Sequence, residues 1–242
     1  MEVAVVVPTY NERQNINELI NGIFTYCPLA HIFFVDDNSP DRTWELLQTM
    51  AAKDTRLHVI CRKKKDGIGS AYRCGFSEAL KNNPVYVIQM DADLSHDPAV
   101  IPKLLGAAAD ADVVLGSRYV NGVSVINWPI QRVLLSYFAN MYARVITGMK
   151  IKDITGGFKC FRSTVLNSIN LSNMRSDGYY FQIEMNAIAV KLKYRIKEIP
   201  IIFVDRHSGT SKMNKGIFIE ALLRVLLLPF RGASRYRKKD AE

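Results

Sequence analysis

The chain has 242 residues, of which 48% are hydrophobic and 23% charged, a balance that excludes a disordered polypeptide and can build a core without covalent staples. A net charge of +9 directs attention to anionic partners: nucleic acid, phospholipid headgroups or phosphorylated substrates. Cys27, Cys61, Cys74 and Cys160 stand far apart with no C-x-x-C pair, which speaks against a zinc site and a disulfide framework and for reduced thiols.

Val3–Val7 is a continuous apolar run rich in β-branched residues, the mark of a strand buried on both faces. No basic segment or cleavage site precedes it, so no signal peptide is expected. Ile16, Leu19, Ile20, Ile23 and Phe24 recur at helical spacing, and Ile32–Val35 is a second buried strand running into the turn cluster Asp36–Asp41. A helix carrying Trp44, Leu47 and Met50 follows, then a strand over Leu57–Cys61 and a helix over Ser70–Lys81. Val85–Met90 reads as a fourth strand, ending at Asp91-Ala92-Asp93, with a helix over Pro98–Ala109 and a fifth strand at Val113–Leu115. This rhythm implies an α/β fold with a mostly parallel central sheet and helices on both faces.

Past Gly122 the pattern changes. Pro129–Thr147 is expected as one helix whose apolar side includes Val133, Phe138, Met141, Val145 and Ile146. Gly156–Arg162 reads as a turn into a short strand, Phe181–Leu192 as a helix and Ile196–Val204 as a strand. A loop over Asp205–Asn214 leads to an amphipathic helix over Ile217–Phe230, too interrupted by Glu220 and Arg224 to span a membrane. Arg231, Arg235, Arg237, Lys238 and Lys239 form a basic tail.

Chemistry concentrates at the ends of the strands, where a parallel sheet binds its ligands. Asp91 and Asp93 are two apart, so their carboxylates can share a side, and two hard carboxylates suit Mg²⁺ or Mn²⁺ bridging a diphosphate. The same triplet also fits an acidic turn with a helix cap at Ser95 or Asp97. Pro8–Glu12 after the first strand and Asp36–Ser39 after the second add polar turns, and a carboxylate such as Asp37 can accept from a nucleobase edge. Singly each is an ordinary turn; three at adjacent strand ends, one carrying D-x-D, point to a nucleotide-diphosphate site. Gly67-Ile68-Gly69 is no dinucleotide fingerprint, because Tyr72 stands where the third glycine belongs. These glycines are expected to permit a close backbone approach, to substrate or to a neighbouring helix, and Lys63-Lys64-Lys65 is expected to be a solvated run.

The motifs V-V-V-P-T-Y-N-E, V-D-D-N-S-P-D, D-A-D-L-S-H-D-P and G-S-R-Y, in that order, resemble the inverting glycosyltransferases of family 2 with a GT-A fold. The later R-H-S-G-T-S-K narrows the resemblance to the dolichyl-phosphate (polyprenol-phosphate) mannose synthases, and the likeness runs from Val3 to about Phe230. It implies one GT-A domain over residues 1–242: a nucleotide-sugar half (1–122), an acceptor half with interfacial amphipathic helices (123–230) and the basic tail (231–242). Carried over position by position, it implies that Pro8, Tyr10, Glu12, Val35 and Asp37 surround the guanosine of GDP-mannose. It further implies that Asp91, Ala92 and Asp93 meet the metal and diphosphate, and that Arg206 and Lys212 close over the donor. Arg118, Arg132 and Ser136 would bind the phosphate of a polyprenyl (dolichyl) lipid, a task that suits the planar donor fork of arginine. Where many members carry a metal-binding glutamine this chain has Ser95, so a hydroxyl, a water or the adjacent His96 is left as the third ligand.

The reaction implied is a single inverting displacement by an acceptor phosphate that is already anionic, aided by Mg²⁺ or Mn²⁺. The protein is expected on the cytoplasmic face of a membrane as a peripheral enzyme, held by its amphipathic helices or by a small anchoring subunit. Rival readings are a UDP-glucose enzyme making polyprenyl phosphoglucose and a transferase with a soluble glycan acceptor. No nucleic-acid-binding module or aromatic–basic stripe accompanies the positive charge, so no nucleic acid is expected as a partner.

Overall fold

The computed structural model describes residues 1–174, 176–204 and 222–238. In chain order the elements are β1 (Val3–Thr9), α1 (Ile16–Tyr26), β2 (His31–Asp36), α2 (Thr43–Ala51), β3 (Leu57–Cys61), α3 (Ile68–Leu80) and β4 (Tyr86–Gln89). They continue with α4 (Ile101–Ala107), β5 (Val113–Ser117), β6 (Val125–Ile126), α5 (Ile130–Thr147), β7 (Lys159–Arg162) and α6 (Ser163–Ser168). The described elements close with α7 (Gly178–Lys191), β8 (Ile196–Pro200) and β9 (Phe203–Val204), after which residues 222–227 are helical.

Seven strands form one sheet in the order β3-β2-β1-β4-β7-β5-β8. All neighbours in it are parallel except β7, which runs antiparallel between β4 and β5. The α/β architecture read from the sequence is therefore observed. Alternation along β1 explains the two layers around it: Ala4 and Val6 face one apolar cluster and Val3, Val5 and Val7 the other. The first cluster takes Tyr72 and Phe76 of α3 and Phe181 of α7, whereas the second takes Ile16, Leu19 and Ile23 of α1, Leu47 of α2 and Leu104 of α4.

Two expectations are corrected. Ile196–Val204 is not one strand: β8 ends at Pro200, and β9 pairs with β6 in a separate two-stranded sheet. Proline removes a ladder donor, and Ile201 turns its N–H to Ser117 O at 3.1 Å. The helix expected over Ile217–Phe230 is helical at residues 222–227 and ends before Pro229; residues 217–221 lie outside the described part. The apolar side of α5 packs on the core only in part, through Tyr142 and Ile146. Its two buried residues are Asn140 and Ala143, while Phe138, Met141 and Val145 are exposed together with Ile130, Leu134 and Leu135.

Helix α7 is the opposite case, buried from Tyr180 to Ala189. Its three polar residues each have a dedicated partner, as burial requires. Asn186 donates to Ile154 O at 2.8 Å, Gln182 accepts from Lys159, and Glu184 accepts from Arg231 at 3.0 Å and Tyr236 at 2.9 Å. The C-terminal segment is thereby strapped across α7. Lys191 Nζ holds the carbonyls of Leu228, Pro229 and Arg231, and Lys238 N–H donates to Ser168 O at 2.8 Å.

Candidate active site

A cavity of about 420 Å³ opens along the carboxyl ends of β1, β2, β4 and β5. Pro8, Tyr10, Glu12 and Asp37 line one end, Asp91, Ala92, Asp93 and Ser95 the middle, and Arg118, Trp128 and Arg132 the other end. Sequence-expected residues from four separate turns are thus gathered on one surface. Val35 and Ser136 are not on its wall. The Val35 side chain is turned toward Gly75 of α3. Ser136 lies one step behind, accepting the Tyr119 hydroxyl at 2.8 Å. Arg206 and Lys212 lie outside the described residues.

Each central carboxylate is braced. Tyr72, fully buried on α3, donates to Asp91 Oδ1 at 2.5 Å, and burial together with Asp91 drives the phenol pKa well upward, so it stays a donor. Asp93 Oδ1 accepts both the hydroxyl (2.5 Å) and the backbone N–H (3.2 Å) of Ser95. His96 does not act as a side-chain donor to these carboxylates. Its Nδ1 accepts the Asp91 backbone N–H at 3.0 Å, its ring stacks on Phe158, and its Nε2 is 4.0 Å from Asp91 Oδ2. His96 is a buttress that fixes where the D-x-D turn begins. Among the described residues no set of three or more His, Cys, Asp or Glu side chains is arranged to hold a metal. Two carboxylates completed by diphosphate oxygens and water nevertheless suit Mg²⁺ or Mn²⁺, ions that keep several waters when bound.

At the nucleotide end Asp37 is an ion-pair partner as well as a wall residue. Arg62 Nε donates to its Oδ1 at 2.5 Å, whereas Oδ2 receives only a long bond, 3.4 Å, from Asp66 N–H. The Lys63–Lys65 run is exposed as expected, but Lys65 also stands 4.0 Å over the Tyr10 ring and lines the cavity. Gly67 and Gly69 make the close approach anticipated for them, to the segment leading into α7. Gly67 has φ +81°, and a Cβ on Gly69 would lie 2.5 Å from Ser176 O. Gly69 N–H also donates to Asp177 Oδ1 at 2.6 Å.

At the far end Arg118 is nearly buried and forks onto Asp153, with Nε and Nη2 each 2.7 Å from a carboxylate oxygen and Nη2 a further 2.8 Å from Thr155 Oγ1. Burial opposes its charge, and Asp153 outweighs that, keeping the guanidinium protonated. Among the described residues Nη1 has no hydrogen-bond partner. Arg132 rests over Trp128, 4.1 Å from the ring centre. Sequence reasoning missed Tyr72, Asp153 and Gln182. In the sequence Tyr72 stands out only as the residue in place of a third glycine, and the other two give no local signal because their partners lie 35 and 23 residues away.

Residues 4–169 match the family described as Glycosyl transferase family 2. The undecaprenyl-phosphate mannosyltransferase of Micrococcus luteus is 40% identical over 225 residues, covering 93% of both chains. The polyprenol monophosphomannose synthase of Mycolicibacterium smegmatis is 42% identical over 230 residues, 94% of this chain and 87% of that protein. Among solved structures, glucosyl-3-phosphoglycerate synthase from Mycobacterium tuberculosis, in complex with Mn²⁺, UDP and phosphoglyceric acid, superposes with a TM-score of 0.66. That match has 17% identity and covers 97% of this chain and 78% of the other, a likeness of fold that agrees with the GT-A type expected.

Proposed function

Since the chain belongs to glycosyl transferase family 2, we propose that its strand-end cavity transfers mannose from GDP-mannose to a polyprenyl phosphate with inversion. The chain is a mannosyltransferase of the polyprenyl-phosphate type, and the glucose alternative is not favoured by its relatives. The observation that carries the reading is the pairing of opposite walls: the D-x-D carboxylates face a two-arginine end across one cavity.

Each end fits its half of the reaction. Asp91 and Asp93 would hold Mg²⁺ or Mn²⁺, which supplies charge stabilisation to the departing diphosphate. The acceptor is a phosphate monoester, anionic near neutral pH, so no strong general base is needed and alignment dominates. Arg118, fixed by Asp153 and Thr155, presents its remaining edge to that phosphate, and Arg132 adds a second positive group. Ser136 supports this end through Tyr119. Pro8, Tyr10 and Glu12 would flank the nucleoside, with Asp37 Oδ2 toward the base and Arg206 and Lys212 closing over the diphosphate. The exposed apolar side of α5 would lie at a membrane surface, on its cytoplasmic face, where the lipid acceptor resides.

The test is transfer of label into solvent-extractable product, with purified protein, Mg²⁺ or Mn²⁺ and polyprenyl phosphate. Label from GDP-mannose and not from UDP-glucose is the expected result. Label from UDP-glucose alone overturns the donor, and label transferred only to soluble glycans overturns the acceptor.

A further inference from the structure

Beneath the middle of the cavity, two polar side chains of the sheet and one of α7 meet in a buried cluster. Gln89 ends β4, Lys159 begins β7 and is its register partner, and Gln182 comes down from α7. Lys159 and Gln89 are fully buried and Gln182 is 5% exposed. Their hydrogen bonds leave no ambiguity about which way the Gln182 amide points. Gln182 Oε1 accepts from Lys159 Nζ at 2.8 Å and from Gln89 Nε2 at 2.8 Å, and both are donors. Gln89 Nε2 spends its second hydrogen on Gly157 O, also at 2.8 Å. Lys159 Nζ further donates to the Gln182 backbone carbonyl at 3.1 Å. The oxygen of Gln182 is therefore turned to the sheet and its NH₂ group must face the other way.

That other way is the cavity. Gln182 lines it, and among the described residues nothing accepts from Nε2. Gly157 marks the neighbourhood: a Cβ there would lie 3.7 Å from Gln182 Nε2 and 3.6 Å from Asp91 Oδ2. The Gln182 Nε2 group thus presents its hydrogens to the open cavity, where a ligand oxygen can take the place of water as acceptor.

Strand order says which part of a ligand arrives there. The nucleoside residues follow β1 and β2, the D-x-D turn follows β4, and Arg118 follows β5. Between β4 and β5 lies β7, whose antiparallel direction brings Gly156 and Gly157 to the carboxyl edge. A group passing from the diphosphate over β4 to the phosphate held beside β5 must pass over Gly157.

We propose that Gln182 is a sugar-recognition residue, its amide NH₂ donating to a hydroxyl of the hexose being transferred, with Lys159 and Gln89 as the positioning residues that hold it in that orientation. This rests on the reading of the cavity as a sugar-nucleotide site. The absent side chain of Gly157 leaves the space the sugar needs beside the amide.

Two substitutions remove the donor in different ways. Gln182→Glu keeps an oxygen to accept from Lys159 and Gln89, so their contacts are retained while the donor is lost; Gln182→Met removes the polar group without adding charge. Calorimetric titration with GDP and with GDP-mannose, repeated with UDP and UDP-glucose, separates sugar from nucleotide binding. In both variants GDP affinity is expected within about twofold of wild type, while the extra affinity for the sugar nucleotide and its kcat/KM fall about tenfold to a hundredfold. Lys159→Met, out of reach of the ligand, is expected to lose part of the same sugar increment with unchanged GDP binding. Unchanged sugar-nucleotide affinity and turnover in both Gln182 variants overturns the proposal. Equal loss for GDP and GDP-mannose in Gln182→Met also overturns it, since the contact would then be to the diphosphate. A wild type that shows these binding differences yet transfers nothing to polyprenyl phosphate defeats the acceptor reading and leaves the Gln182 contact standing.

Discussion

Arg118 and Asp153 show how one residue pair can govern one substrate. The fork leaves a single edge of the guanidinium for the cavity, so on the proposed reading the carboxylate would decide where the acceptor phosphate is met. Asp153→Asn removes the charge that fixes the fork and leaves a buried cation without its counter-ion. We expect kcat/KM for the lipid phosphate to fall about tenfold to a hundredfold while the donor KM holds, as steady-state kinetics with each substrate varied will show. Lys159 yields a prediction about pH. Burial lowers its ammonium pKa from 10.5 to about 7. Between those values the unfolded chain carries a proton at this site that the folded chain lacks, so stability rises with pH across the window and the penalty is full below about pH 7. Relative to Lys159→Met, the wild type should gain about 1.4 kcal/mol per pH unit between pH 8 and 10, measured by urea unfolding. A flat difference between the two would mean that Lys159 keeps its proton in the fold.

At the scale of elements, the strap across α7 is open to a direct test. Glu184 is buried, Arg231 supplies its ion pair, and Glu184 Oε2 has no partner among the described residues. Arg231→Ala should destabilise the protein by about 3 kcal/mol, and Glu184→Gln in that background should recover part of the loss. Simple additivity of the two changes would show that they do not form a unit. This clamp also shows why some elements were legible in the sequence and others were not. β1 and β2 are buried on both faces and announce themselves as short apolar runs between turn clusters, and the half-buried edge strand β3 follows the same rhythm. β7 is legible as a short strand after Gly156-Gly157, but the mixed pattern given by Lys159 and Arg162 hides its antiparallel place between β4 and β5. Arg231 read as part of a basic tail, yet it turns inward to Glu184, a partner 47 residues earlier. In the site, Asp91, Asp93 and Arg118 stand in recognisable motifs at strand ends, whereas Tyr72, Asp153 and Gln182 acquire their roles only from the packing of α3, the 153–155 loop and α7.

For the whole molecule the question is how an enzyme meets a lipid-borne acceptor. Among the described residues no helix is long and apolar enough to cross a membrane. Periodicity correctly gave α5 an apolar side, but periodicity cannot say what covers it, and the core covers little of it. Val145 is 76% exposed and Phe138 53%, and beside them Leu223, Leu226, Leu227 and Phe230 are exposed on the segment joined to α5 by the Tyr142–Leu222 hydrogen bond. Arg235, Arg237 and Lys238 add exposed positive charge after it. Two adjacent apolar surfaces bordered by cations match the chemistry of an anionic bilayer, where apolar side chains enter the headgroup boundary and basic groups meet phosphates. The protein should therefore float with vesicles containing anionic phospholipid, and do so less at high salt. Replacing Leu134, Phe138 and Val145 by Ser should abolish flotation while leaving nucleotide binding intact, because these side chains support no core. It should also lower turnover on long-chain polyprenyl phosphate far more than on a short, water-soluble analogue, since only the former must be drawn from the membrane. Flotation that survives the triple substitution would put membrane contact on another surface. A wild type that never floats would assign anchoring to a partner.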